Sequence, residues 1–237
     1  MRRVAVCAAL LVLLAGCGQA PKTVRERLPA MVLPKSAYGA QAAALRRTQP
    51  SGYLSNEQRA RSDFDPLVTA RLLARAGCQT GYALQFGLSR GQLSRAMQRG
   101  HGLLEVGSLA ELYRDPPAVS RQFRRTVRDL RALVGKPLNL GGTLEGVTVV
   151  PVPGIGDEAV RLTLVVRVSG VRVQLTEVGF RAGRLAGVVV ETWAGSTNVD
   201  PEVTSLARVL ASRIGSSDQQ PAKAATSAPA SHFRARV

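Results

Sequence analysis

Residues 156–193 constrain the fold of this chain more than any other stretch, because three strand patterns follow one another with only short turns between them. From Val160 to Val168 every even position is aliphatic, while Arg161, Thr163 and Arg167 occupy odd ones, the two-residue period of a strand with one buried face. Ser169-Gly170 is a turn signal, after which Val171, Val173 and Leu175 alternate with Arg172, Gln174 and Thr176. Val178 and Phe180 then take the opposite parity, which predicts a bulge near Thr176-Glu177. Arg181-Ala182-Gly183-Arg184 supplies a Gly-containing loop, and Leu185 to Trp193 is apolar on both parities, as in a strand covered on both faces. The result is an antiparallel meander. It belongs to an α+β class: an antiparallel sheet of about five to six strands with flanking helices, in a two- or three-layer sandwich.

The start of the chain sets the compartment. Arg2 and Arg3 precede an apolar run from Val4 to Ala15 that is too short for a membrane span and has the charged and hydrophobic regions of a secretory signal. The run ends in Leu14-Ala15-Gly16-Cys17, which resembles the lipobox of bacterial lipoproteins. That resemblance implies a signal peptide over 1–16, acyl chains on Cys17, and a location on the extracytoplasmic face of the cell membrane. The other reading of the same residues is an ordinary secretory cleavage with Cys17 as a small core residue. Each buried methylene contributes about 0.8 kcal/mol, so two or three acyl chains hold a protein at a bilayer where one would release it.

Removal of residues 1–16 takes two Arg and no acid, which lowers the formal charge from +16 to +14 (16 − 2). Partners of such a basic chain are anionic: lipid headgroups or an envelope polymer, or a partner protein the sequence does not identify. Aromatic residues make up 4% of the chain, too few for recognition of nucleic acid by stacking. Cys7 leaves with the signal and Cys17 carries lipid, so Cys78 has no intrachain partner and reads as a small buried hydrophobe.

Residues 17–51 contain Pro21, Pro29, Pro34 and Pro50 without a sustained apolar period, and they read as the lipidated Cys and a spacer with one short helix around Ala40 to Arg47. A single α+β domain follows over 52–214. Ser55-x-x-Gln58 has capping-box spacing, and Asp65-Pro66 opens a helix with Leu67, Val68, Leu72 and Leu73 on its apolar side, stopped by Gly77. Tyr82, Leu84, Phe86 and Leu88 then mark a strand, and Leu103 to Leu109 another. Asp115-Pro116 opens the longest helix, with Val119, Phe123, Val127, Leu130 and Val134 on one side. Its other side carries Arg121, Arg124, Arg125, Arg128 and Arg131, interrupted only by Asp129. That face is either simply solvated or a contact for an anionic surface. A strand through Val147 and Val149 precedes the meander, and Asp200-Pro201 opens a last helix with Val203, Leu206, Val209, Leu210 and Ile214 buried and Gly215 as its stop. Residues 215–237 read as a disordered low-complexity tail.

One string looks catalytic. Gly87-Leu88-Ser89-Arg90-Gly91 matches Gly-x-Ser-x-Gly, follows a strand and precedes a helical stretch, as a nucleophile elbow does. A triad also needs an acid and then a His, whereas the histidines are His101, with no Asp between it and Ser89, and His232 in the tail. The residues therefore assign no catalytic group, with a serine hydrolase using Ser89 as the competing reading. Two histidines and no cysteine pair give no metal-ligand spacing and no cofactor motif; Gly154-x-Gly156 precedes a strand and is no phosphate loop.

The order of strand, long helix, strand, Gly156-Asp157-Glu158-Ala159, meander and closing helix resembles the sensor-type domains of actinobacterial envelope lipoproteins and receptor-kinase ectodomains over about Thr80 to Ile214. The resemblance implies a PsbP-like sandwich and a sensor or binding module. It transfers no functional residue. The function expected is a non-catalytic, membrane-anchored lipoprotein that binds a lipid-like or anionic envelope ligand, or a partner protein.

Overall fold

The computed structural model of the protein describes residues 23–48, 51–54, 77–138, 142–195 and 199–218. The lipobox, the Ser55 capping box, the Asp65-Pro66 helix, His232 and the tail beyond 218 lie outside the described residues.

In chain order the elements are α1 (Val24–Met31), two 3-10 turns (Lys35–Tyr38 and Ala40–Ala42), β1 (Arg46–Arg47), β2 (Gly52–Leu54), β3 (Cys78–Gly87), α2 (Arg90–Arg99), β4 (Gly102–Tyr113) and α3 (Pro116–Arg131). They are followed by β5 (Pro137–Leu138), β6 (Gly142–Pro151), β7 (Glu158–Val168), β8 (Val171–Ala182), β9 (Leu185–Ala194) and α4 (Asp200–Asp218). All pairings are antiparallel in one sheet of order β1-β3-β4-β9-β8-β7-β6-β5, with β2 also on β3. Among the described residues six of the nine strands are ten residues or longer, which are the ones periodicity reveals; β1, β2 and β5 have two or three residues and carry no pattern.

The meander forms as its sequence dictates. Ser169 and Gly170 both have positive φ (49° and 82°), the type I′ geometry whose twist matches the flanking strands. The parity change in β8 has a different cause from the expected bulge, because β8 keeps continuous register with both neighbours. Leu175 packs toward α3 while Val178 and Phe180 pack toward α4, so the covering layer changes along an unbroken strand. Register shifts occur instead at Cys78/Thr80, Leu103/Glu105 and Leu144/Gly146.

Two helical layers sandwich the sheet. On one face α1, the 3-10 turns and α4 cover Val106, Ala110, Val178, Phe180 and Val189. On the other, α3 covers Tyr113 and Ala186 at one end and Leu144, Leu162 and Leu164 at the other. Leu28, Met31, Leu33, Tyr38, Ala42 and Leu45 are all at most 2% exposed, so this stretch contributes side chains to the core and is not a spacer. A capping box starts α1: Thr23 N donates to Glu26 Oε2 (2.8 Å) and Glu26 N to Thr23 Oγ1 (3.4 Å). Two other expectations shift. Val134 lies past the end of α3 and Val209 sits on the outer side of α4, both exposed, with Ala207 buried in the latter's stead; α4 also runs through Gly215 to Asp218.

The Gly156 to Ala159 string is a brace between hairpins. Asp157 N donates to Arg181 O (2.7 Å), and Asp157 Oδ2 accepts from Arg181 Nη1 and from Gly183 N, both at 2.8 Å. Gly156 has φ +57°, and a Cβ there would lie 2.2 Å from Arg181 O, which leaves glycine as the residue that fits.

Candidate functional site

Between α3 and the sheet lies a cleft of about 240 Å³. Its floor comes from alternate positions of the central strands, including Ala83, Leu109, Leu162, Leu175, Val188 and Val190, and its roof from Gln122, Phe123, Thr126 and Val127. The floor carries two glycines, Gly107 and Gly179, whose missing side chains leave space above the sheet. A Cβ on Gly179 would touch Phe123 at 3.6 Å, and one on Gly107 would lie 3.1 Å from Gln85 Cγ and 3.3 Å from Val190 Cγ1. Phe123 and Val127 are accordingly only half-buried, although they point at the sheet.

A few polar groups converge on this apolar surface, the composition of a small-molecule site. Glu111, 4% exposed, accepts a hydrogen bond from the Tyr113 hydroxyl at 2.7 Å. Gln122, 8% exposed, donates from Nε2 to Thr126 Oγ1 at 3.3 Å, while its Oε1 has no hydrogen-bond partner. Glu177 also lines the cleft. Side-chain period carries no signal for these roles: Glu111 interrupts an apolar strand, and Gln122 falls between the two faces of its helix.

The five arginines of α3 project away from the cleft. Arg124, Arg128 and Arg131 are exposed and Arg121 and Arg125 half-buried, and none lines the cavity. Arg121 pairs with Asp115 at 3.5 Å and Arg128 with Asp129 at 3.0 Å, exposed contacts that contribute little to stability. Asp115 caps the helix through Ala118 N (2.8 Å), and the Arg114 guanidinium beside it holds its carboxyl below the usual range.

Ser89 of the Gly-x-Ser-x-Gly string is the N-cap of α2. Its backbone N and its Oγ both donate to Gln92 Oε1, at 3.0 and 2.7 Å. His101 follows the Gly100 C-cap at the other end of the same ten-residue helix, a separation of about 15 Å at 1.5 Å per residue. Cys78 is buried, its Sγ 3.9 Å from Thr80 O. Among the described residues no group of His, Cys, Asp and Glu could hold a metal ion, and no helix is long and apolar enough to cross a membrane.

A second buried polar cluster lies on the opposite face. Glu191 is fully buried in β9; it accepts from Trp193 Nε1 at 3.1 Å, and its Oε1 has no partner. Burial pushes its carboxyl up to about 7, against the pull of the Trp193 hydrogen bond and with a further push from Glu202. Tyr38, buried beside Ser108 and Glu191, is likewise pushed up, first by burial.

This layering has a solved counterpart. The chain is similar to the extracellular domain of PknH from Mycobacterium tuberculosis, with a TM-score of 0.53 and 12% identity over 84% of this chain and 100% of that one. The two share a fold. At that identity the likeness concerns architecture alone and assigns no residue a role. No family model matches the chain, and no curated protein matches it.

Proposed function

We propose that the chain is a lipid-anchored, extracytoplasmic, non-catalytic binding module that takes the apolar part of a small ligand into the cleft beneath α3. The observation that carries this reading is the cleft itself: an apolar chamber with a buried Gln122 whose carbonyl has no internal donor. Burying such a group unpaired costs about 1–3 kcal/mol, which a ligand donor would recover. At about 240 Å³ the chamber is below the usual range of about 300–1,000 Å³ for ligand pockets, and it suits a small molecule or one end of a longer one. The shared fold with a kinase's extracellular domain supports an extracytoplasmic setting, as does the lipobox-like Leu14 to Cys17.

The role of Ser89 as a helix cap, a helix-length away from His101, supports a module without catalysis. The cleft's acidic side chains, Glu111 and Glu177, direct anionic partners to the outside of the domain, where α3 presents its arginines to an envelope polymer. A neutral fluorescent probe such as N-phenyl-1-naphthylamine tests the cleft. Its emission is expected to rise on the full-length protein and to fail to rise on Val127→Trp, which fills the roof; equal response of both proteins would refute the site.

A further inference from the structure

We infer that the edge formed by β1, β2 and the outer side of α1 is the surface this domain lays against an anionic bilayer, with α3 and the cleft turned away from it. The inference rests on the lipid-anchored reading of Cys17. It follows from the length of chain between that anchor and the fold. The sequence reads as a spacer as far as residue 51, but the described part of the fold already includes Thr23, six residues after Cys17. Six residues span at most about 22 Å, at no more than about 3.6 Å each. A tether that short holds the start of α1 close to the headgroups.

The layers then decide which surface meets them. On β9, Val189 packs toward α1 and α4, while Val188 and Val190 face the cleft beneath α3. The start of α1 and the arginines of α3 are therefore separated by the full thickness of the sandwich, two layer spacings of about 10 Å each. What lies beside the start of α1 has the chemistry of a membrane interface. Arg25 stacks 5.5 Å from the ring of Tyr53, and the Tyr53 hydroxyl donates to Arg25 O at 2.9 Å. Tyr53 is 43% exposed and meets Tyr82 edge-on at 5.1 Å. Register puts Tyr53 opposite Tyr82 and Arg47 opposite Phe86, residues that pack on the α1 side of the sheet; Arg46 is opposite Gly87 on the same edge. Arg25, Arg46 and Arg47 are exposed and form no ion pair among the described residues, and the acid nearest in sequence, Glu26, is engaged by Thr23 N. Tyr at headgroup depth flanked by Arg is the pairing that interfaces favour, and the charge sign matches anionic lipid.

Arginine footprinting tests this on the intact protein. The full-length, acylated chain is reconstituted into vesicles of phosphatidylcholine alone or with phosphatidylglycerol, treated with phenylglyoxal and read by mass spectrometry. In the anionic vesicles Arg25 and Arg47 should react about fivefold more slowly, the effect of about 1 kcal/mol per basic residue near such a surface. Arg124, Arg128 and Arg131 should react at equal rates in both. The protection should disappear at 1 M salt, where the Debye length is about 3 Å. Protection of the α3 arginines, equal rates at all five positions, or protection that survives 1 M salt would overturn the orientation. Failure of the anchor is read separately: a protein whose intact mass lacks acyl chains and that does not sediment with vesicles removes the lipid-anchored reading itself.

Discussion

The Tyr113 hydroxyl donates a 2.7 Å hydrogen bond to Glu111 Oε2, two residues away on the same face of β4, and both side chains line the cleft under α3. A carboxyl group that is 4% exposed needs hydrogen-bond partners for its oxygens, since a polar group buried without them is disfavoured. Tyr113→Phe keeps the packing and removes the donor. It should cost about 1–3 kcal/mol in urea unfolding with an unchanged slope against denaturant. A variant as stable as the parent would mean that the bond has no part in holding the cleft wall.

Glu191 should make stability depend on pH. Its carboxyl ionises near 4.5 in the unfolded chain and near 7 in the fold, so between those values the folded state holds a proton that the unfolded state has lost. The contribution is fully present below about pH 4.5 and is lost as pH rises through 7. At 1.36 kcal/mol per pKa unit the whole effect is on the order of 3 kcal/mol. Glu105 is also pushed up by burial and acts in the same direction. Unfolding measured at pH 5 and pH 8 should therefore show a smaller loss of stability for Glu191→Gln than for the parent. Identical losses would remove Glu191 as the source.

The Asp157 brace predicts two unequal effects. Asp157→Ala removes partly exposed bonds to Arg181 and Gly183 and should cost about 1 kcal/mol. Gly156→Ala forces a Cβ onto the Arg181 carbonyl at positive φ and should cost about 2 kcal/mol or more. Thermal melts order the two variants, and the reverse order would contradict the geometry.

Ser89→Ala should lower stability by about 1 kcal/mol through loss of a helix cap. A fluorophosphonate probe should leave the parent protein unlabelled. Labelling that vanished in Ser89→Ala would establish the hydrolase in place of the binding module.

Much of this fold could be read from side-chain period alone, and the exceptions have physical causes. The β7–β8–β9 meander was legible because each strand is ten or more residues with one or both faces covered. The strand count came out low because β1, β2 and β5 are held by a few register pairs and show no alternation. Residues 24–47 read as spacer because Pro29 and Pro34 break the apparent period, whereas Leu28, Met31 and Leu33 reach the core through a short capped helix and an extended turn. The Arg face of α3 was visible as a stripe. The cleft behind it was not, since its room comes from Gly107 and Gly179 on separate strands and its polar groups from three different elements.

The most direct test of a binding module is what the cleft carries out of the cell. Full-length protein purified from its own membrane, with Val127→Trp prepared in parallel and Arg124, Arg128 and Arg131 changed to Gln in a third sample, is analysed by native mass spectrometry for bound small molecules. The parent and the Arg variant should each carry one ligand per chain, and Val127→Trp none. Equal ligand on a folded Val127→Trp, or ligand lost only from the Arg variant, would contradict it.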